Sequence, residues 1–131
     1  MSEKIRENSF EDETYQIGVD FDGVVHKNSK GFFDGTVYDD PVEGVVTLLE
    51  RLSAKYTLVL FSAKARSDRM LINGKTGIQL IREWLIDKKL DHYFSEITSE
   101  KPRAVCYIDD KAVHFRDVPS CIHELEERRI L

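Results

Sequence analysis

The chain is poor in cysteine, has no long hydrophobic run and carries no surplus of positive charge, and each shortage removes a class of protein. Two cysteines in 131 residues, Cys106 and Cys121, cannot build a disulfide framework, and their spacing matches no thiolate metal site. Both read as reduced thiols, with Cys106 inside an apolar run. Nowhere does a run of about 18 apolar residues occur, so no membrane-spanning helix is expected. The first 16 residues are polar and acidic and lack the apolar stretch of a secretion signal, which makes the cytoplasm the expected compartment. With 19 Lys and Arg against 24 Asp and Glu, the net charge of -5 argues against broad electrostatic attraction to nucleic acid. A local basic patch could still meet a phosphate. Low-complexity tracts and internal repeats are absent as well.

What remains is a balanced globular composition, 41% hydrophobic and 33% charged, at a length that fits one domain within the usual range of roughly 50 to 250 residues. Residues 1–14 read as a polar N-terminal leader and 15–131 as the domain. A first strand is expected from about Tyr15 to Phe21. Between His26 and Asp39, Gly31, Gly35, Phe32, Phe33 and Tyr38 suggest a β-hairpin with its turn near Asp34-Gly35, its aromatic side chains expected to pack together over the next helix, the alternative being that they stack on a base or sugar. That helix should start with Asp40 as N-cap, Pro41 at the first position and Glu43 closing a capping box, and end near Ala54. A buried strand over Tyr56–Phe61 ends at Ser62. A polar loop or frayed helix over Lys64–Lys75 precedes a second helix, capped by Thr76 and Gln79 and reaching about Lys89. Further strands are expected at Tyr93–Thr98, at Ala104–Ile108 (buried) and at Val113–Val118 (a short edge), before a last helix capped by Ser120. Strands alternating with helices imply a single-domain, Rossmann-like α/β fold, a parallel sheet flanked by helices with right-handed crossovers.

The run Ile17-Gly18-Val19-Asp20-Phe21-Asp22-Gly23-Val24-Val25 carries the most information. An apolar, β-branched run of this kind is a strand buried on both faces, so Asp20 and Asp22 fall where it leaves the core, at the edge where open α/β sheets bind ligands. Two neighbouring carboxylates there cost desolvation and repulsion unless a cation or hydrogen-bond donors face them. The other reading is an acidic turn in which Asp22-Gly23 only ends the strand. Two more expected strands end in polar groups, one at Ser62 and one at Asp109-Asp110, and in a parallel sheet these ends share one edge. Four carboxylates and a hydroxyl therefore converge, an all-oxygen set that suits Mg²⁺ rather than zinc. Such an ion can bind a phosphate oxygen and screen an anionic nucleophile from an anionic substrate, so phosphoryl transfer is the expected chemistry. His26, His92, His114 and His123 show no metal-ligand spacing and read as surface or edge histidines, His26 being the one near the chemistry.

Asp20-Phe21-Asp22-Gly23-Val24-Val25, Leu60-Phe61-Ser62, Lys101-Pro102 and Tyr107-Ile108-Asp109-Asp110 resemble, in order and spacing, the four motifs of the haloacid dehalogenase (HAD) superfamily in its phosphatase branch. The resemblance covers roughly residues 15–118. The stretches His26-Lys27-Asn28-Ser29-Lys30-Gly31 and 101–112 look like small capless members from bacteria and phages. The resemblance implies that Asp20 is the nucleophile that becomes a transient aspartyl phosphate, and that Asp22 is the general acid and base, with its backbone carbonyl on the metal. One of Asp109 and Asp110, in the first instance Asp109, would ligate the metal directly, with the other as a second ligand through water or as an orienting group. Ser62 would hydrogen-bond a transferring oxygen, and Gly23, Ser62, Ala63 and Lys64 would face the substrate phosphate. An acid at the Asp22 position separates phosphatases from dehalogenating and ion-pumping relatives.

The motif match for the phosphate-facing cation is Lys101, yet only Pro102 and Arg103 separate it from Ala104. A strand over 104–108 spans roughly 16 Å, at about 3.3 Å per residue, so Lys101 could start at the wrong edge of the sheet. Lys64, two residues after Ser62, is the second candidate. The gaps after the first and second motifs have room for a hairpin flap and a loop but for no cap domain. A site without a lid admits small or macromolecular phosphorylated substrates, including nucleotides or nucleic acid ends, or borrows a second copy of the chain as its lid. Lys27, Lys30, Arg66 and Arg69 could flank such a substrate. The competing readings are a phosphotransferase, a metal-dependent nuclease using the same carboxylates, and a non-catalytic phosphate-binding or signalling module. A receiver-type module would need its phosphoacceptor on the middle strand, which here ends in Ser62.

Overall fold

The computed structural model describes residues 15–32 and 34–131; the expected leader, residues 1–14, and Phe33 lie outside the described residues. Strand β1 (Gln16–Asp20) is followed by helix α1 (Val45–Ser53), β2 (Thr57–Phe61), α2 (Gly77–Asp87), β3 (Phe94–Thr98), β4 (Cys106–Ile108) and α3 (Val118–Glu127). The four strands form one sheet in the order β3-β2-β1-β4, and every pairing is parallel. Among the described residues the architecture is the Rossmann-like α/β arrangement that the alternation of elements implies, with three helices flanking an all-parallel sheet. Among the described residues no helix is long and apolar enough to cross a membrane.

The pleat sorts β1 and β2 onto two faces. Ile17, Val19, Leu58 and Leu60 point one way and form the core with Val45 and Leu49 of α1 and Ile81, Trp84 and Leu85 of α2. On the other face, Gly18 pairs in register with Val59 on one side and Tyr107 on the other. This face is covered by residues 99–105, which run from β3 back to the start of β4 without a helix. Gly18 permits the coverage: a Cβ there would stand 2.8 Å from the Tyr107 ring and 3.2 Å from Pro102. Tyr107 donates its hydroxyl to the Pro102 carbonyl at 2.6 Å, and Gln16 donates to the Arg103 carbonyl at 2.8 Å, fixing the crossover.

The capping box at Thr76 and Gln79 forms as expected and sets the start of α2. Five local expectations fail. Helix α1 does not start at Asp40-Pro41: Lys27 N–H donates to the Asp40 carbonyl and Val42 N–H to the Val25 carbonyl, so 40–42 are held extended, and the helix begins only after Gly44, in left-handed conformation at φ 85°. The same two bonds close the ends of the 27–40 segment, which is a closed surface loop and not the expected hairpin; no strand ladder occurs in its described part. No strand forms over Val113–Val118, because Asp117, not Ser120, caps α3, accepting the Ser120 N–H at 2.8 Å with Pro119 in the first turn. Strand β4 is therefore the sheet edge, and Cys106 and Tyr107 are exposed where a buried strand was expected.

Candidate functional site

Strand register assembles the site. Val19 pairs with Ile108 and Asp20 with Phe61, so Asp20 stands level with Asp109, and Ser62 follows one step beyond on β2. Each strand ends where its apolar run ends, which places all the polar groups at the carboxyl edge of the sheet.

Two separate groups of charges result. Asp20, Asp109 and Asp110 each offer a carboxylate oxygen, and these atoms all lie within 4.8 Å of one another, so the three could hold a metal ion. Burial, and then the charges of Asp109 and Asp110, push the Asp20 carboxyl up to about 7. Asp109 also accepts the Lys111 N–H at 2.9 Å, and its Oδ2 lies 3.4 Å from Lys101 Nζ. Gly23, at φ 94°, lies against this group: a Cβ on it would collide with the Asp110 carboxylate.

Asp22, two residues from Asp20, belongs to the second group. Its Oδ1 lies 2.8 Å from His26 Nδ1 and its Oδ2 2.7 Å from Lys64 Nζ. Burial raises the carboxyl, but the hydrogen bonds from His26 and Lys64 outweigh it and hold Asp22 below the ordinary carboxylate value. Lys64 itself is buried, at the centre of a short 3-10 turn over Ala63–Ala65. That turn is capped by Ser62, whose Oγ accepts the Lys64 N–H at 3.1 Å and keeps its own proton to donate. Ala63 is exposed beside it and, with Asp22, Lys64, Asn28, Gly31, Phe32, Arg69 and Lys111, lines a cavity of about 420 Å³.

The structure thus brings together Asp20, Asp109 and Asp110, sets Asp22 apart on Lys64, and places Ser62, Ala63 and Gly23 around them. The geometric objection to Lys101 does not hold. The helix-free crossover returns over the Gly18 face of the sheet, and the Lys101 ammonium reaches Asp109 while lying 5.1 Å from the Tyr107 ring and 5.8 Å from that of Phe61. Both candidate lysines therefore stand at the site, one on each carboxylate group. The expectation that the loop aromatics pack together over the helix is corrected for the two that are described: Phe32 is exposed under the Arg69 guanidinium at 5.4 Å, and Tyr38 packs on His26.

The residue misread from the sequence is His26. It is not a surface histidine: it has no exposed area and hydrogen-bonds Asp22. The available signal was its position, directly after Val24-Val25 and four residues from Asp22. Comparison with protein-family models, with curated proteins and with solved structures finds no match to this chain.

Proposed function

We propose that the chain is a Mg²⁺-dependent phosphomonoesterase of the HAD type, without a cap domain, acting through an aspartyl phosphate on Asp20. The observation that carries this reading is the division of two near-adjacent carboxylates: Asp20 in the acidic triad, Asp22 two residues on and bound by Lys64 and His26. A nucleophile and a proton carrier need such different surroundings.

Asp20, Asp109 and Asp110 fit a hard divalent ion, an all-oxygen set in which burial and the two neighbouring carboxylates push the Asp20 carboxyl up to about 7. When bound, Mg²⁺ would screen the nucleophile from the anionic phosphoryl group. In the first step an Asp20 oxygen attacks phosphorus, the bond to the leaving oxygen breaks, and Asp22 protonates the departing alkoxide. In the second, ionised Asp22 takes a proton from the water that attacks phosphorus, and inorganic phosphate leaves with Asp20 restored. Asp22 lies below the ordinary carboxylate value in the free protein, so the proton it gives the alkoxide is taken up on substrate binding, from the phosphate monoester monoanion or from water, as the bound phosphoryl group competes for Lys64. Ser62 donates to a phosphoryl oxygen, and Lys101 completes the charge on the Asp109 side.

The leaving group faces Asp22 and so enters the cavity that Phe32 and Arg69 line. An exposed ring beside a guanidinium suits a flat leaving group that carries further negative charge, as in a nucleotide. The test is Mg²⁺-dependent hydrolysis of 4-nitrophenyl phosphate, lost in Asp20→Asn, together with beryllofluoride trapping on Asp20. A nuclease using these carboxylates to activate water would cleave phosphodiesters and would trap nothing on Asp20.

A further inference from the structure

We propose that His26 is the positioning residue of Asp22 and joins it to the loop over 27–40, so that the proton carrier and the wall of the leaving-group cavity move as one unit. The proposal rests on the phosphomonoesterase reading for what Asp22 does, and on geometry for how His26 holds it.

The imidazole is fixed in every direction. It stacks on Phe21 at 5.2 Å and 9° and meets Trp84 and Tyr38 edge to face at 5.4 Å and 5.2 Å. Nε2 lies 3.0 Å from the Asp39 backbone nitrogen, which can only donate, so Nε2 accepts and carries no proton. The ring proton therefore sits on Nδ1 and is donated to Asp22 Oδ1 at 2.8 Å. Both ring nitrogens are satisfied, as a fully buried imidazole requires. Asp39 is anchored in turn: its carbonyl accepts the Trp84 indole N–H at 2.8 Å, and its carboxylate takes the backbone N–H and the hydroxyl of Ser29. The loop that Asp39 ends supplies Asn28, Gly31 and Phe32 to the cavity beside Asp22.

The two donors on Asp22 differ in kind. Lys64 faces the place of the phosphoryl group and exchanges its carboxylate for that group during turnover. His26 is enclosed by rings with both ring nitrogens bonded, so it keeps its hold on Asp22 Oδ1 when Lys64 turns to the phosphoryl group. A positioning role of this kind shows where protonation of the leaving group limits the rate. An alkoxide needs that proton; a nitrophenolate departs without it.

Three variants separate the two ends of the ring. His26→Asn places a donor near Nδ1 and loses the acceptor for Asp39. His26→Gln reaches the Nε2 position, keeps that acceptor and leaves Asp22 Oδ1 without a partner. His26→Phe keeps the packing and neither hydrogen bond. Measured with an alkyl phosphate and with 4-nitrophenyl phosphate, kcat for Gln and Phe should fall about 10- to 100-fold more on the alkyl ester, a part of the roughly 10²- to 10⁴-fold that general acid catalysis contributes. His26→Asn should change that ratio less than about threefold and raise KM instead, as the loop is released. Equal losses on both esters in all three variants, or His26→Asn no better than His26→Gln, overturn the proposal. An independent readout does not need turnover: imidazole ¹⁵N shifts of the wild-type protein should show a protonated Nδ1 and a bare Nε2 at His26. The opposite tautomer overturns the proposal even if the enzyme is active, whereas the expected tautomer in a protein that hydrolyses neither ester overturns the phosphatase reading and keeps the His26–Asp22 unit.

Discussion

Lys64 Nζ and Asp22 Oδ2 lie 2.7 Å apart across 42 positions of sequence, a lysine buried beside β2 meeting a carboxylate on the turn after β1. The lysine has little access to water, so its charge depends on Asp22 for compensation. Lys64→Met should lower stability by about 2 to 4 kcal/mol, the lower end reflecting the partial exposure of Asp22. In the double variant with Asp22→Asn part of that loss should return. Urea denaturation of the two single variants and the double variant measures the coupling; simple addition of the two losses would show that the pair does not act as a unit.

Asp20 gives the metal-free protein a distinctive pH dependence. Its carboxyl sits at about 7 when folded and at the ordinary 3.8 when unfolded, so the folded state binds more protons between those values. Stability therefore falls as pH rises from about 4 to 7 and levels off above, by about 1 to 2 kcal/mol after allowance for the half-exposed position. Asp20→Asn should abolish turnover and, at pH 8 without metal, raise the midpoint of thermal unfolding. At pH 4 it should change that midpoint little. A destabilised Asp20→Asn at pH 8 would show that the acidic triad is not under repulsion.

Mg²⁺ should reverse the same strain. An ion bound only to the folded state at about a hundred times its Kd stabilises by about 2.7 kcal/mol. The gain should be larger at pH 8 than at pH 5, where a proton on Asp20 competes with the ion. Differential scanning fluorimetry with and without EDTA measures both, and an Asp109→Asn variant should lose the Mg²⁺ effect.

Lys101 and Lys64 should separate in their consequences. The Lys101 side chain is about half exposed, at 48%, and 3.4 Å from Asp109, so Lys101→Ala should cost no more than about 1 kcal/mol of stability. Its loss should nevertheless lower kcat by at least tenfold if it completes the charge around the phosphoryl group. Unchanged kcat in a folded Lys101→Ala would leave Lys64 as the sole phosphate-facing cation.

Gly18→Ala tests the crossover. A methyl group there meets the Tyr107 ring and Pro102, both of which fix the segment carrying Lys101. The substitution should cost about 1 to 3 kcal/mol, as overpacking does, and lower kcat together with stability. Full activity in the variant would mean that Tyr107 and Pro102 move aside freely.

What could be read in the chain and what could not follow from the range of the interactions involved. The strands β1 and β2, helix α2 with its Thr76–Gln79 box, and the polar residues ending each strand are local patterns, each set by apolar runs and capping groups a few residues apart. Asp40 and Pro41 carried an equally clear capping signal and lost it to pairing with Val25 and Lys27, because backbone bonds between segments outweighed one local cap. Val113–Val118 failed for the reverse reason, a local cap at Asp117 outcompeting a strand with no neighbour to hold it.

The sequence by itself determined that acidic and hydroxyl groups meet at one sheet edge, since a parallel sheet brings strand ends together wherever the chain goes between them. Only the tertiary structure decided how those groups divide. Asp20 and Asp22 are nearly adjacent in the chain, yet one belongs with Asp109 and Asp110 and the other with Lys64 and His26. That division depends on strand register and on Lys64 and the rings of Tyr38 and Trp84, contacts between segments far apart in the chain, which decide what the local turn through Gly23 and the spacing of Asp22 and His26 only allow.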